Sequence, residues 1–297
     1  MVETQELQAS RLFSVEGWVC LITGGGSGIG LMCAQALAAN GARVYITGRR
    51  YEVLETASKV HSPPSGPGKI TPLGPCDVTS KDALTSLVTA LSALESRLNL
   101  LVCAAGISGP KADPLSSSSA TDLFNTLWAA ESPSNWSSVF TTNVSAVYFT
   151  TLAFLPLLQQ TSSHPEFGHH AGNVITISSM SGLIRHAQGH FSYNAAKGAT
   201  IHLSKLMSTE FQKTGVRVNS IAPGYFPSEM TTGGSDARQK SEMPEEMVRG
   251  KGHPVPAGRA GSDEEMAMAC LFLARNRYVN GEIVVVDGGV RGQVPGG

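Results

Sequence analysis

Short apolar runs rich in β-branched residues alternate along this chain with longer stretches whose apolar positions recur at helical spacing. That pattern predicts βαβ units and a parallel sheet covered on both faces. Seven runs read as strands, at residues 19–23, 43–47, 69–73, 100–103, 173–178, 217–221 and 283–286. Between them, residues 29–39, 81–95, 136–158, 193–212 and 263–274 read as helices bounded by Gly, Pro and Ser. The expected fold is α/β: a doubly wound, mainly parallel seven-stranded sheet with helices on both faces. Residues 61–68, the serine run 116–119 and residues 162–172 have compositions that resist regular structure and read as surface insertions. A fourth irregular stretch, 225–256, follows the carboxyl end of a predicted strand, where open α/β sheets bind ligands, and is expected to form a substrate lid. Residues 1–16 read as an N-terminal extension. With no internal repeat or strong linker, 1–297 is expected to be a single domain.

The length of 297 residues and the hydrophobic fraction of 41% suit one α/β domain with a substantial core. Its 22 basic and 23 acidic residues leave a net charge of -1, which gives no electrostatic reason to bind nucleic acid or an anionic membrane and points to a small-molecule ligand. Residues 1–13 lack the basic segment and apolar stretch of a signal peptide, and no apolar run reads as long enough to span a membrane, so a soluble, cytoplasmic protein is expected. The five cysteines are odd in number and lack Cys-x-x-Cys spacing, as expected of reduced core thiols. The adjacent His169 and His170 cannot share one face of a helix or strand, and no metal site is expected.

Three segments carry candidate chemistry. Residues 19–30 run from a buried strand through Gly24-Gly25-Gly26-Ser27-Gly28-Ile29-Gly30 into a helix. Glycines allow a tight turn and close backbone approach, and the helix N-terminus offers unpaired N–H groups to a pyrophosphate. The spacing, Gly-x-x-x-Gly-x-Gly, departs from the usual Gly-x-Gly-x-x-Gly, and a purely structural glycine turn would read the same way. Tyr193 and Lys197 stand at i and i+4, on one face of a predicted helix. A lysine cation there favours the phenolate, and such a tyrosine can act as general acid for a ketone. The strand over 174–178 ends in Ser178 and Ser179, at the sheet's ligand edge, where a hydroxyl can bond a substrate oxygen.

In this order, residues 23–30, Asn143, Ser179, Tyr193 and Lys197 resemble the classical short-chain dehydrogenases/reductases, and the resemblance runs over roughly residues 17–289. It implies a Rossmann-type sheet in which Gly24, Ser27, Gly28, Ile29 and Gly30 hold the cofactor. It also implies that Tyr193 exchanges the proton at the carbonyl oxygen, Ser179 positions that oxygen, and Lys197 lowers the tyrosine pKa while holding the nicotinamide ribose. Asn143 would kink its helix and hold a water in a proton relay through Lys197. Asp77 and Val78 resemble the adenine contacts, although a helix-capping Asp has the same sequence. Pro223, Gly224, Phe226 and Ser228 resemble the turn beside the nicotinamide, with Ser228 where Thr is usual, and residues 286–289 resemble the last strand's conserved end.

The pattern departs from the family in two places. Cys103-Ala104-Ala105-Gly106 replaces the usual Asn-bearing segment, which keeps the backbone approach at Ala105 and Gly106 but removes an amide. The interval from Ser179 to Tyr193 is one residue longer than the commonest spacing. It leaves Ser181 as a second candidate hydroxyl and puts Arg185, His186 and His190 in a longer loop. Both histidines read as exposed loop residues, with substrate contact as the alternative.

For the cofactor, NAD-specific relatives place an acid near Gly48, where this chain has Gly48-Arg49-Arg50. Arg49 is read as the partner of a 2′-phosphate, with Arg50 secondary, so NADP(H) is expected; two exposed arginines opening a helix are the alternative. Residues 219–231 resemble 3-oxoacyl reductase-like and fungal ketoreductase-like members. The expected activity is NADPH-dependent reduction of a ketone, whether a 3-oxoacyl, polyketide or cyclic one, to a secondary alcohol. An NAD(P)-dependent polyol or sugar dehydrogenase and a non-catalytic NADP(H) sensor are the alternatives. The resemblance also implies a homodimer or homotetramer packed through the helices 136–158 and 193–212, although the sheet core explains their apolar faces equally well.

Overall fold

The computed structural model describes residues 3–112, 117–167, 171–250 and 255–294. The strands β1 (Val19–Thr23), β2 (Arg43–Gly48), β3 (Lys69–Pro75), β4 (Leu100–Cys103), β5 (Asn173–Ile177), β6 (Arg217–Pro223) and β7 (Ile283–Val286) form one sheet in the order β3-β2-β1-β4-β5-β6-β7. Every pairing is parallel, as the sequence pattern predicts. The helices are α1 (Ala9–Leu12), α2 (Gly28–Ala39), α3 (Tyr51–His61), α4 (Lys81–Ser92), α5 (Ala120–Ala130), α6 (Pro133–Phe140), α7 (Ala146–Ser162), α8 (Phe191–Glu210), α9 (Glu229–Thr232), α10 (Glu245–Arg249) and α11 (Asp263–Arg275).

Alternation along each strand feeds two cores. Cys20 and Ile22 of β1 join Leu31 and Leu37 of α2 and Met266 and Leu273 of α11 on one face. Val19 and Leu21 join Leu84 and Leu87 of α4 and Phe154 and Leu158 of α7 on the other. Both faces are therefore dry, which is why the strands read as continuous apolar runs. The strand order reverses between β1 and β4, so the loops after them diverge and open a crevice at the carboxyl edge of the sheet.

The structure alters several details. Helices α3 and α5 replace stretches in which no element was read. Both carry apolar positions at helical spacing, Val53, Leu54, Ala57 and Val60 in α3 and Leu123, Phe124, Leu127 and Trp128 in α5, although only Leu54 and Ala57 are buried in α3 and α5 buries nothing. Within the serine run, Ser119 caps α5 by accepting from the Asp122 N–H, while Ser116 lies outside the described residues. His169 and His170 also lie outside them. The helix expected over 136–158 is a continuous run from 133 to 162, interrupted by a π-helical turn at Thr141–Ser145. By length and composition it is apolar enough to cross a membrane, which corrects the sequence reading on that point. Here its side chains Val147, Phe154 and Leu158 belong to the second core.

The segment after β6 contains α9 and α10, and its residues 251–254 lie outside the described part. It is anchored at a distance from the crevice: His61 Nε2 lies 2.6 Å from the Arg238 carbonyl, and Lys240 bonds both Gln35 and Asp263. At the opposite edge of the sheet, Arg217 is buried at the head of β6 and donates to the carbonyls of Asn276 (3.1 Å) and Val279 (2.7 Å), beyond the end of α11. Burial lowers its guanidinium to about 10, so it stays a cation at neutral pH.

Candidate active site

The glycine turn is built by close backbone packing. Gly24 has φ +67°, and a Cβ there would sit 2.9 Å from the Cα and N of Ala105. Gly28 opens α2 with φ +51°, and its Cβ would sit 2.9 Å from the Ser228 Cβ. The turn is therefore pressed between the loops after β4 and β6. Ser27 caps α2 without a side-chain bond to the first turn, and Ser27, Gly28, Ile29 and Gly30 all face a cleft of about 600 Å³.

That cleft gathers nearly all of the predicted residues. Arg49, Arg50, Asp77 and Val78 line one end, Gly24, Ala105 and Gly106 the middle, and Ser179, Tyr193 and Lys197 the other end, with Pro223, Gly224, Phe226 and Ser228 alongside. Asp77 also caps the turn before α4: its Oδ1 accepts from the Thr79 N–H (2.9 Å) and hydroxyl (2.7 Å). Those bonds, with a smaller contribution from the Arg49 charge, hold its carboxyl below the usual range. Arg50 is paired with Glu229, Nη2 to Oε2 at 2.7 Å.

At the reacting end, Tyr193 and Lys197 share one face of α8. The Lys197 Nζ stands 5.6 Å from the tyrosine ring centroid and donates to the Ile177 carbonyl at 2.7 Å. Burial brings Lys197 down to about 8. Burial pushes the Tyr193 phenol up, and the group that opposes this is the Ser179 hydroxyl. The Lys197 ammonium is directed to the end of β5, and Ser179 is the side chain that favours the phenolate in this arrangement. Ser179 also accepts from the Ser181 N–H at 3.1 Å. Ser181 itself donates to Gln188 Oε1 (2.8 Å), and Gln188 donates on to the Tyr225 hydroxyl (2.8 Å). Of the two candidate hydroxyls, Ser179 is the one that faces the cleft.

Asn143 stands behind the cleft, 1% exposed, inside the π-helical turn. Its amide clamps Ile107, accepting from the N–H (2.9 Å) and donating to the carbonyl (2.8 Å), while its own carbonyl accepts from the Thr200 hydroxyl (2.8 Å). These bonds make Asn143 a brace of the loop after β4. Without the family's amide at Cys103, that loop is tied to β1 by Thr23, whose carbonyl and hydroxyl accept from Ala104 and Ala105. His186 and His190 are half-buried rather than exposed: His186 Nδ1 accepts from the Gln188 N–H, and the His190 ring meets Tyr193 edge-on at 6.3 Å.

Sequence reasoning missed the other wall. Ser137, Ser138, Thr141 and Thr142 line the cleft from α6 and the π-helical turn, and their i, i+1, i+4, i+5 spacing is the signal that puts four hydroxyls on one helical face. Glu229 was missed as well.

Residues 24–291 match the family model described as enoyl-(acyl carrier protein) reductase. A short-chain dehydrogenase/reductase of Diaporthe leptostromiformis, PhomF, is 39% identical over 96% of this chain and 95% of its own length. The chain belongs to the short-chain dehydrogenase/reductase family. Another relative, the 3-oxoacyl-[acyl-carrier-protein] reductase FabG of Chlamydia muridarum, is 33% identical over 91% of this chain and 96% of its own. Among solved structures, a Pseudomonas aeruginosa RhlG/NADP active-site complex superposes with a TM-score of 0.74 at 30% identity, covering 94% of this chain and 98% of that one. As in other short-chain dehydrogenases/reductases, the cofactor expected is NAD(P)(H). The residues fit a dinucleotide, since the glycine cradle leaves no room for a Cβ at Gly24 and the cleft runs unbroken from Arg49 to Lys197.

Proposed function

We propose that this oxidoreductase is an NADPH-dependent ketoreductase that interconverts a ketone and a secondary alcohol. The observation that carries the reading is the convergence of Ser179, Tyr193 and Lys197 at one end of a cleft whose other end presents Arg49 and Arg50. When bound, the nicotinamide supplies the hydride. Tyr193 gives its proton to the carbonyl oxygen, and Ser179, whose hydroxyl favours the phenolate, holds the same oxygen. Lys197, which donates to the Ile177 carbonyl, would hold the nicotinamide ribose. Asn143 keeps the loop at Ala105 and Gly106 against the cofactor by clamping Ile107.

NADP(H) is favoured because no ion pair engages Arg49 among the described residues, leaving it to a 2′-phosphate, and because the RhlG neighbour is a complex with NADP. The substrate is a 3-oxoacyl, polyketide or cyclic ketone, in keeping with the 3-oxoacyl reductase among the relatives. The described part of the 225–256 segment that lines the cleft, at Phe226, Ser228, Glu229, Met230 and Thr231, covers it as a lid. The exposed Tyr148, Phe149 and Leu206 on α7 and α8 suit a homodimer or homotetramer, and a cytoplasmic setting keeps the five thiols reduced.

Turnover of NADPH against a ketone panel, compared with cofactor binding alone, tests the reading. Wild type should consume NADPH with at least one ketone, and Tyr193→Phe should lose about 10²- to 10⁴-fold in turnover while still binding NADPH. Binding without turnover on every ketone and alcohol would instead indicate a sensor.

A further inference from the structure

The Arg50–Glu229 ion pair joins the two banks of the cleft. Its partners are 179 positions apart and follow β2 and β6, strands that the sheet separates by β1, β4 and β5. The turn after β6 brings them together. Ser228 caps α9 against Gly28, and Glu229, the first residue of α9, is thereby carried back over the N-terminus of α2 to the arginine end of the cleft. The contact is short, at 2.7 Å, but both side chains remain partly in solvent, 54% for Arg50 and 31% for Glu229. Such a pair is weakly held, so a stronger anion can displace it. A phosphate carries more charge and more acceptor oxygens than a carboxylate, and a guanidinium committed to Glu229 is not available to it.

We propose that Glu229 tunes cofactor selectivity: its carboxylate competes with the 2′-phosphate for Arg50. The phosphate-bearing cofactor opens the Arg50–Glu229 contact, and the cofactor lacking that phosphate leaves it closed. The inference rests on the NADP(H) reading above. It makes Glu229 a restraint on NADPH affinity, and it makes Arg50 a partner that the phosphate gains only by exchange.

Calorimetric dissociation constants at one fixed ionic strength test this. The ligands are NADPH and NADH, with adenosine 2′,5′-bisphosphate and AMP as probes that lack nicotinamide. Glu229→Gln should tighten NADPH and the bisphosphate by about 2- to 5-fold, the range of an exposed ion pair, and leave NADH and AMP unchanged. With Arg50→Ala already present, Glu229→Gln should tighten nothing. Unchanged or weaker NADPH binding, equal tightening of NADH, or tightening that survives Arg50→Ala would each overturn the competition. Failure of the cofactor reading is separable: it would be a wild type with no preference for NADPH, in which Arg49→Ala costs NADPH nothing.

Discussion

At the scale of single residues, two of the three cations that line the cleft, Arg49 and Lys197, have different tasks. Arg49 stands next to the Arg50–Glu229 pair but takes no part in it, and its charge already acts on Asp77 at the same end of the cleft. A hydrogen bond to a charged group is worth about 1.5–3 kcal/mol. Arg49→Ala should therefore weaken NADPH binding by about 10- to 150-fold and barely affect NADH; equal losses for both would remove Arg49 from the phosphate. Lys197 is the buried cation of the cleft, brought by burial from the ordinary 10.5 to about 8. Between those two values the unfolded chain holds the proton and the folded one has released it. Folding stability must therefore rise with pH through that window, by about 3 kcal/mol in all. Lys197→Met lacks this slope. The melting temperature of wild type relative to Lys197→Met should climb from pH 8 to pH 10, and a flat difference would show that the ammonium is not buried at cost.

At the scale of elements, the π-helical turn at Thr141–Ser145 links packing to chemistry. The extra residue in the turn places Asn143 where its amide can satisfy both backbone groups of Ile107, just beyond the cleft-lining Gly106. Asn143→Ala leaves that N–H and carbonyl unpaired in a partly buried position, at a cost of about 1 kcal/mol. Urea unfolding should show the loss. A larger drop in turnover than in NADPH affinity would follow if the loop is also needed to align the nicotinamide end, and unchanged stability would show that the clamp is dispensable. The same elements show what could be read in advance. The seven strands and the line from Gly24 to Lys197 were legible, because buried parallel strands make continuous apolar runs and the cofactor turn needs residues without side chains. Helices α3 and α5 were legible in principle, from Val53, Leu54, Ala57 and Val60 and from Leu123, Phe124, Leu127 and Trp128 at helical spacing, but what each face packs against was not, since α3 buries only Leu54 and Ala57 and α5 buries nothing. The half-burial of His190 against Tyr193 and the Arg50–Glu229 pair depend on loops meeting across the sheet, which no local pattern encodes.

At the scale of the whole molecule, the two cores share one sheet and the cleft lies at its carboxyl edge, so the cores are expected to open together, and the cysteines report on it. Cys20 and Cys33 lie in the core under α2 and α11 with Cys270, Cys76 and Cys103 lie in the core on the other face, and all five are buried. Burial pushes the Cys76 thiol up to about 11 and Cys103 to about 12, and it raises Cys20 as well. Cys270 is raised by its hydrogen bond with Cys33 together with burial. A thiol that is both shielded and protonated is a poor nucleophile, so an alkylating reagent should reach these positions only when the fold opens. The cofactor cleft draws on the ends of β1, β2, β4, β5 and β6, so cofactor binding should stabilise the fold as a whole. At a free NADPH concentration 100 times its dissociation constant, that stabilisation is about 2.7 kcal/mol, or about 100-fold in the population of the opened state. All five thiols should then be alkylated slowly and at a common rate, and NADPH should slow them together by about that factor when reclosing is faster than alkylation. A single thiol that reacts quickly and ignores NADPH would identify a local opening at that position and show that the cores do not open as one.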